Sequence, residues 1–167
     1  ALGWLSLGAT LPLGRETVTR GTPYRELAGG AGWVGSAAVA PLDAPPANDF
    51  VAVAERYLGT PYLWGGRTSL GLDCSALVQL ALAEAGRAAP RDTDMQAAEI
   101  GDVRDPADAL ARGDLVFWKG HVAIMIDGEY MVHASGHHLA VVIEGFAAAR
   151  ERIAAAGGGA PTVIRRP

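Results

Sequence analysis

The stretch from Gly65 to Leu80, GGRTSLGLDCSALVQL, contains the only cysteine of the chain, Cys74. A glycine-rich loop precedes this cysteine, and a run of apolar residues typical of a helix follows it. The first turn of a helix has unpaired N–H groups and the positive end of the helix dipole, which stabilise a thiolate and lower the pKa of a thiol. We therefore interpret Cys74 as a candidate nucleophile at a helix start. The alternative is a small, buried apolar residue, as free cysteines often are.

Three glycines precede this predicted helix. Gly65, Gly66 and Gly71 all lie within nine residues before Cys74. Because glycine has no Cβ, we expect these positions to let the backbone turn sharply and to leave room for a peptide at the helix N-terminus.

Composition limits the classes of protein to consider. The chain has 167 residues, of which 50% are hydrophobic and 19% are charged, and its formal net charge is −4. This length allows one core, with or without a small second domain. The acidic balance argues against a nucleic acid partner, and no apolar run approaches the ~18 residues that a membrane-spanning helix needs. Residue 1 is alanine, so we expect a fragment or a mature form.

The cysteine count restricts the sites that can be built. A single cysteine excludes an internal disulfide and a zinc site made from cysteine pairs. We expect no metal and no other cofactor.

Residues 1–43 differ from the rest because they contain short candidate strands separated by Gly and Pro, with no segment of helical period. The pattern predicts a small antiparallel β-barrel that is either incomplete or supported by its neighbour. The candidate strands are Trp4–Leu7, Leu11–Leu13, Glu16–Arg20, Tyr24–Leu27 and Gly32–Gly35. Residues 44–47 form a proline-rich linker, and residues 48–167 form the second domain.

The second domain is predicted to be α+β, because helical periods dominate its first half and short strands its second half. Asn48 or Asp49 is expected to cap the first helix, and Gly59 to close it. The predicted helices are 50–58, 74–85, 93–100 and 146–156. The predicted strands are 114–119, 121–126, 129–134, 139–143 and 162–165.

Two histidines fall at one end of a predicted hairpin. A two-residue turn at Asp127-Gly128 would place His121 opposite Ala134 and make His133 its diagonal neighbour, within about 5 to 8 Å. A catalytic thiol needs a base, and the base needs a third group that fixes its tautomer and orientation. The alternative is a pair of surface histidines near a hairpin end.

Four blocks of sequence, in the family's order, resemble the NlpC-type bacterial cell-wall cysteine peptidases. The blocks are YLGTPYLWGG at 57–66, LDCSALV at 72–78, GDLVFW at 113–118 leading to HVAI at 121–124, and VHA at 132–134. The resemblance implies a papain-like α+β fold, in which the cysteine lies at a helix N-terminus packed against an antiparallel sheet that carries the histidines. In the first domain, Gly29–Val34 resembles the bacterial Src-homology-3-like domains that accompany cell-wall enzymes.

The resemblance also implies catalytic roles. Cys74 would be the nucleophile, and His121 would be the general base that later protonates the leaving amine. His133 would be the third member, which orients His121. We expect His137 and His138 to be solvated, although either is an alternative third member.

Residues near the nucleophile are candidates for binding. The resemblance implies that the Tyr62 hydroxyl approaches the thiol and helps to stabilise the oxyanion. Asp73 and Ser75 would line the substrate subsite, and Asp73 would engage the amine of an N-terminal L-alanine, cap the helix, or do both. Trp64 is a packing residue or a further substrate contact. Glu26, together with Tyr24 and Trp33, is a candidate barrel residue at the groove.

The implied reaction is hydrolysis of an amide bond through a thioester. Its substrates would be peptidoglycan stem peptides, cut between D-γ-glutamyl and a diamino acid. One alternative is an N-acetylmuramoyl-L-alanine amidase or acyltransferase with the same three residues, and another is a non-catalytic peptidoglycan-binding module. The function favours the cell envelope or secretion, with cytoplasmic peptide recycling as the alternative. The sequence predicts no particular oligomeric state.

Overall fold

The computed structural model describes residues 3–167. The chain divides into two compact units, one that ends at Pro45 and one that spans Pro46–Pro167. The division falls within the predicted linker at residues 44–47.

The N-terminal unit contains a three-stranded antiparallel sheet in the order β1-β2-β3. The strands are β1 (Leu13–Thr19), β2 (Thr22–Leu27) and β3 (Gly32–Gly35). No residue from 3 to 45 is buried, because a segment this short encloses little volume. The unit is an open sheet within these residues, and the Src-homology-3-like resemblance stays a prediction.

Two strand predictions in this unit are wrong. Trp4–Leu7 and the residues before Leu13 are turn and irregular backbone. Gly8 turns the chain at a φ of 78°, and Pro12 has no amide hydrogen to donate to a strand neighbour.

The second unit has four helices, as predicted. They are α1 (Phe50–Glu55), α2 (Cys74–Glu84), α3 (Thr93–Glu99) and α4 (Phe146–Ala155). Asp49 caps α1, because its Oδ1 accepts hydrogen bonds from the amides of Val51 and Ala52 at 2.9 and 3.3 Å. The helix ends earlier than predicted, and turns carry the chain to Gly59.

The strands of the second unit form two sheets. The short strands β4 (Arg67–Thr68) and β5 (Gly71–Leu72) pair with each other. The large sheet has six strands in the order β10-β9-β8-β7-β11-β6. Its members are β6 (Asp102–Arg104), β7 (Leu115–Trp118), β8 (His121–Met125), β9 (Tyr130–Ser135), β10 (Ala140–Gly145) and β11 (Val163–Arg166). All were predicted except β6, whose solvated residues show no apolar alternation.

Helices cover both faces of the large sheet. α2 packs against β8 and β9, and its residues Leu77 and Val78 are at most 1% exposed. Met131 of β9 and Ala149 of α4 belong to a second buried cluster, which is the packing between the sheet and α4. The predicted α+β architecture is confirmed.

The predicted register of the β8-β9 hairpin is wrong by one residue. Met125 pairs with Met131, and Ile124 pairs with Val132, so the loop has more than the two residues of a tight turn. Asp127 lengthens the loop, because its Oδ1 accepts hydrogen bonds from two successive backbone amides after Gly128, each at 2.7 Å.

This register decides where the histidines point. A shift of one residue moves every side chain of a strand to the other face of the sheet. Extending the observed pairs puts His133 opposite Ala123, two residues from His121, so both histidines lie on the same face. The predicted pairing of His121 with Ala134 would have placed them on opposite faces.

We expect Gly66→Ala to destabilise the loop before α2. A Cβ at residue 66 would lie 2.5 Å from the carbonyl oxygen of Gly71 and 2.9 Å from that of Leu63. Backbone atoms cannot move aside as a side chain can, so the free energy of unfolding should fall by about 1 to 3 kcal/mol. Urea denaturation measures this change.

Gly145→Ala is the matched control. Gly145 has a φ of −65°, and no atom lies within 4 Å of a Cβ built there. The control should unfold at nearly the urea concentration of the unaltered chain. Equal stability of the two variants would contradict the close approach at Gly66.

Candidate active site

Cys74 is the first residue of α2, as predicted, and its side chain is buried with 6% exposure. Asp73 is the N-cap, and its Oδ1 accepts a hydrogen bond from the Ala76 amide at 2.9 Å. Its Oδ2 accepts from the Gly65 amide at 2.9 Å, which ties the glycine-rich loop to the helix start. The cap therefore sets both the first turn of α2 and the loop that leads into it.

Burial has a larger effect on the pKa of the Cys74 thiol than the helix N-terminus has. Removal from solvent raises the pKa of Cys74. Hydrogen bonds with the backbone of Val122, Ser75 and Cys74 itself lower this pKa, and the Asp73 carboxylate raises it, with burial the largest contribution. The expectation of a lowered pKa is therefore wrong, and at neutral pH the thiol holds its proton.

His121 and His133 lie in direct contact. The Nε2 of His121 and the Nδ1 of His133 are 2.7 Å apart, so one ring donates a hydrogen bond to the other. Val122, whose backbone contacts the Cys74 thiol, directly follows His121. The start of β8 therefore brings the thiol and the imidazole pair to one place.

Both imidazoles are neutral at physiological pH. Burial lowers the pKa of His121 to about 3, and the neighbouring His133 acts in the same direction. Burial likewise lowers the pKa of His133 to about 3. An uncharged thiol beside two uncharged imidazoles can react only when a proton moves from sulfur to nitrogen.

Tyr62 interacts electrostatically with Cys74, and the predicted approach of its hydroxyl to the thiol stays a prediction. Its amide donates to the carbonyl of Leu139 at 2.9 Å, and the residue forms a β-bridge with Leu72. Burial raises the pKa of the phenol, and the Cys74 thiol, once ionised at high pH, and the Asp73 carboxylate raise it further. The hydroxyl therefore keeps its hydrogen at neutral pH and is a hydrogen-bond donor.

Arg91 is a residue of the site that the sequence did not indicate. Its guanidinium donates to both carboxylate oxygens of Asp73, at 3.0 and 2.6 Å, and to the hydroxyl of Ser75 at 2.8 Å. The guanidinium holds the pKa of Asp73 below its usual value, against the opposing effect of burial. Eighteen residues separate Arg91 from Asp73, and no periodicity joins them.

The Asp73 carboxylate is thus already paired with Arg91 and already caps α2. Its side chain is 12% exposed. The helix-capping interpretation of Asp73 is confirmed, while the recognition of a substrate amine by Asp73 stays a prediction.

Trp64 does not pack in the core. Its side chain is 83% exposed, and the neighbouring Leu63 and Leu70 are 56% and 60% exposed. The packing interpretation is therefore wrong, and the substrate-contact interpretation stays a prediction.

The other candidates have their own partners. His138 contacts the Ser135 hydroxyl at 3.0 Å, and its ring stacks edge-on against His137. Neither is the histidine bonded to His121. In the N-terminal unit, Glu26 accepts a hydrogen bond from Arg15 at 3.1 Å, and Arg15 lies over the ring of Trp33. The role predicted for Glu26 stays a prediction.

One group of side chains has metal-ligating atoms. His133, His138 and Glu144 each offer an atom within 4.8 Å of the others. Arg152 of α4 already ion-pairs with Glu144, however, and a cation at that carboxylate would compete with the guanidinium. Among residues 3–167, no helix is both long and apolar enough to cross a membrane.

The chain is similar to named bacterial peptidases. It is 38% identical over 89 residues to dipeptidyl-peptidase 6 of Lysinibacillus sphaericus. It is 35% identical over 96 residues to a gamma-D-glutamyl-L-lysine dipeptidyl-peptidase of Bacillus subtilis (strain 168). Each match covers 53% of this chain and 32% of the relative, so the chain spans about a third of the length of these curated relatives.

The fold is similar to that of a solved structure. A crystal structure of an NlpC/P60 family protein from Bacillus cereus ATCC 10987 superposes with a TM-score of 0.68 and 26% sequence identity, and the match covers 93% of this chain and 53% of that one. A sequence model of the NlpC/P60 family matches residues 59–149, which include Tyr62, Cys74 and both paired histidines. Since this match covers more than half of its residues, the chain belongs to the NlpC/P60 family.

Proposed function

We propose that this chain is a cysteine peptidase that hydrolyses peptidoglycan stem peptides at the bond between D-γ-glutamyl and a diamino acid. The observation that carries the proposal is the 2.7 Å contact between His121 and His133, next to Val122, whose backbone contacts the Cys74 thiol at the start of α2. The relative from Bacillus subtilis, whose name specifies a gamma-D-glutamyl-L-lysine dipeptidyl-peptidase, supports the choice of bond.

In the first half of the proposed reaction, the peptide is cleaved. Nδ1 of His121 takes the thiol proton as the sulfur of Cys74 attacks the carbonyl carbon. The oxyanion accepts hydrogen bonds from the Cys74 amide and the Tyr62 hydroxyl. His121 then gives its proton to the amide nitrogen, the carbon–nitrogen bond breaks, and the amine leaves a thioester on sulfur.

In the second half, water releases the acyl group. His121 removes a proton from water, and the resulting hydroxide attacks the thioester carbonyl. The carbon–sulfur bond breaks, the carboxylic acid departs, and the sulfur recovers the proton from His121. Throughout both halves, His133 holds the His121 ring through the same hydrogen bond.

We expect Cys74→Ala to abolish cleavage of L-Ala-γ-D-Glu-diamino acid tripeptides. Without the nucleophile no thioester forms, so release of L-Ala-γ-D-Glu should fall by at least roughly 10³-fold. The substrates are the L-lysine and meso-diaminopimelate tripeptides, and mass spectrometry measures the products.

Met95→Ala is the control, since Met95 is an exposed sulfur-containing side chain on α3. Undiminished release by Cys74→Ala would contradict the proposal. Release of an intact stem peptide from a muramoyl peptide, without cleavage at γ-D-glutamyl, would instead indicate an amidase.

We expect alkylation of Cys74 to reach half its maximal rate at a higher pH in the folded chain than in the unfolded chain. The thiolate is the reactive form, and burial raises the pKa of Cys74, so less thiolate exists at a given pH than in an exposed cysteine. Because the chain has one cysteine, iodoacetamide reports this residue alone. We expect the half-maximal rate at a higher pH than for the same chain unfolded in urea.

The unfolded chain supplies the same thiol without burial, and it is therefore the reference. A half-maximal rate at lower pH in the folded chain would mean a thiolate and imidazolium pair at rest. That result would contradict the neutral ground state.

A further inference from the structure

The hydrogen-bonded series continues beyond His133. The Nε2 of His133 lies 2.6 Å from Oε1 of Glu144, and the His133 side chain is 1% exposed. Glu144 lies on β10, where its pairing with Met131 places it diagonally across from His133. Both ring nitrogens of His133 are thus in contact, one with His121 and one with a carboxylate.

The carboxylate determines which nitrogen of His133 carries hydrogen. An ionised carboxylate only accepts hydrogen bonds, and a neutral imidazole has one N–H. Burial, together with the charges of Arg152 and His138, lowers the pKa of His133 to about 3, so the ring is neutral at pH 7. Its hydrogen therefore lies on Nε2, facing Glu144, and its Nδ1 is an acceptor.

The assignment of His121 follows from that of His133. Because the His133 Nδ1 accepts, the His121 Nε2 must donate, and the His121 Nδ1 is left without hydrogen. That nitrogen is then available to take the thiol proton. If the tautomer of His133 were reversed, the His121 hydrogen would move to Nδ1, and the ring could not act as a base there.

We propose that Glu144 is a positioning residue that fixes the tautomer of His133 and, through it, that of His121. The consequence for catalysis rests on the proposed function, whereas the tautomers themselves do not. Glu144 bonds to His133, which in turn bonds to His121, so its effect on the base passes through the two rings.

Arg152 of α4 holds the Glu144 carboxylate in place. The Arg152 guanidinium donates to the same Oε1 that faces His133, and the two side chains are 27% and 16% exposed. His138 lies farther away, with its Nδ1 at 3.9 Å from this oxygen. The guanidinium and the His133 ring therefore leave the carboxylate little freedom to turn.

Imidazole nitrogen NMR of the uniformly ¹⁵N-labelled chain tests the tautomers directly. We expect His121 and His133 each to carry hydrogen on Nε2, with Nδ1 unprotonated, at pH 7. The His133 signals are assigned by their loss in His133→Gln. A His133 ring protonated on Nδ1 in the unaltered chain would overturn the proposal, and this measurement needs no Glu144 variant to fold.

Glu144→Gln removes the constraint, because a glutamine amide can either accept from Nε2 or donate to it. We expect a mixture of His133 tautomers and a kcat lowered by roughly 10- to 100-fold on the tripeptides, with KM little changed. Glu151→Gln is the matched control, since it makes the same change at an exposed residue of α4. It should alter neither the spectrum nor kcat.

The nitrogen spectra and the cleavage assay together distinguish a failure of this proposal from a failure of the proposed function. If Glu144→Gln leaves the spectrum unchanged, or changes it without lowering kcat, the positioning role is overturned. If the unaltered chain cleaves no stem peptide, the proposed function fails, and the nitrogen spectra still decide whether Glu144 sets the tautomer.

Discussion

A hydrogen bond between two neutral imidazoles, that of His133 buried and that of His121 partly buried, is the contact on which the candidate site depends. It exists only if His121 and His133 lie on the same face of the sheet, and that condition is set by the register of β8 and β9. The register depends in turn on Asp127, whose carboxylate accepts from two successive amides in the connecting loop. A side chain in a surface loop thus stabilises the loop whose length sets the alignment of the two histidines at the far end of the hairpin.

The start of α2 shows how burial and the helix N-terminus oppose each other. Backbone hydrogen bonds favour a thiolate at Cys74, while loss of solvent and the Asp73 carboxylate disfavour it. The result is a protonated thiol held beside an uncharged base. Arg91 balances the charge of Asp73 through a bidentate ion pair, so the helix cap adds less repulsion next to the sulfur than a free carboxylate would.

Sequence periodicity was enough to predict the helices and the central strands, because apolar spacing reports which face of an element is buried. It located Cys74 at the start of α2 and both histidines at one end of the sheet. It could not predict the register, because Asp-Gly signals a tight turn and the longer loop depends on one hydrogen-bonding side chain. Arg91 and Glu144 could not be predicted, because polar residues that bond to partners far away in the sequence produce no local sequence pattern.

The ion pair between Arg152 and Glu144 meets two opposing requirements on His133. A carboxylate is needed to fix which nitrogen donates, but an uncompensated carboxylate beside a buried imidazole favours the imidazolium and raises its pKa. A protonated His133 would donate from both nitrogens and could no longer accept the hydrogen bond of His121. Burial lowers the pKa of His133 most, and the charge of Arg152 lowers it further, so the ring stays neutral while the carboxylate still orients it. The two faces of the sheet therefore have separate tasks, since α2 supplies the thiol and α4 supplies a charge that adds to the effect of burial in favouring neutral imidazoles.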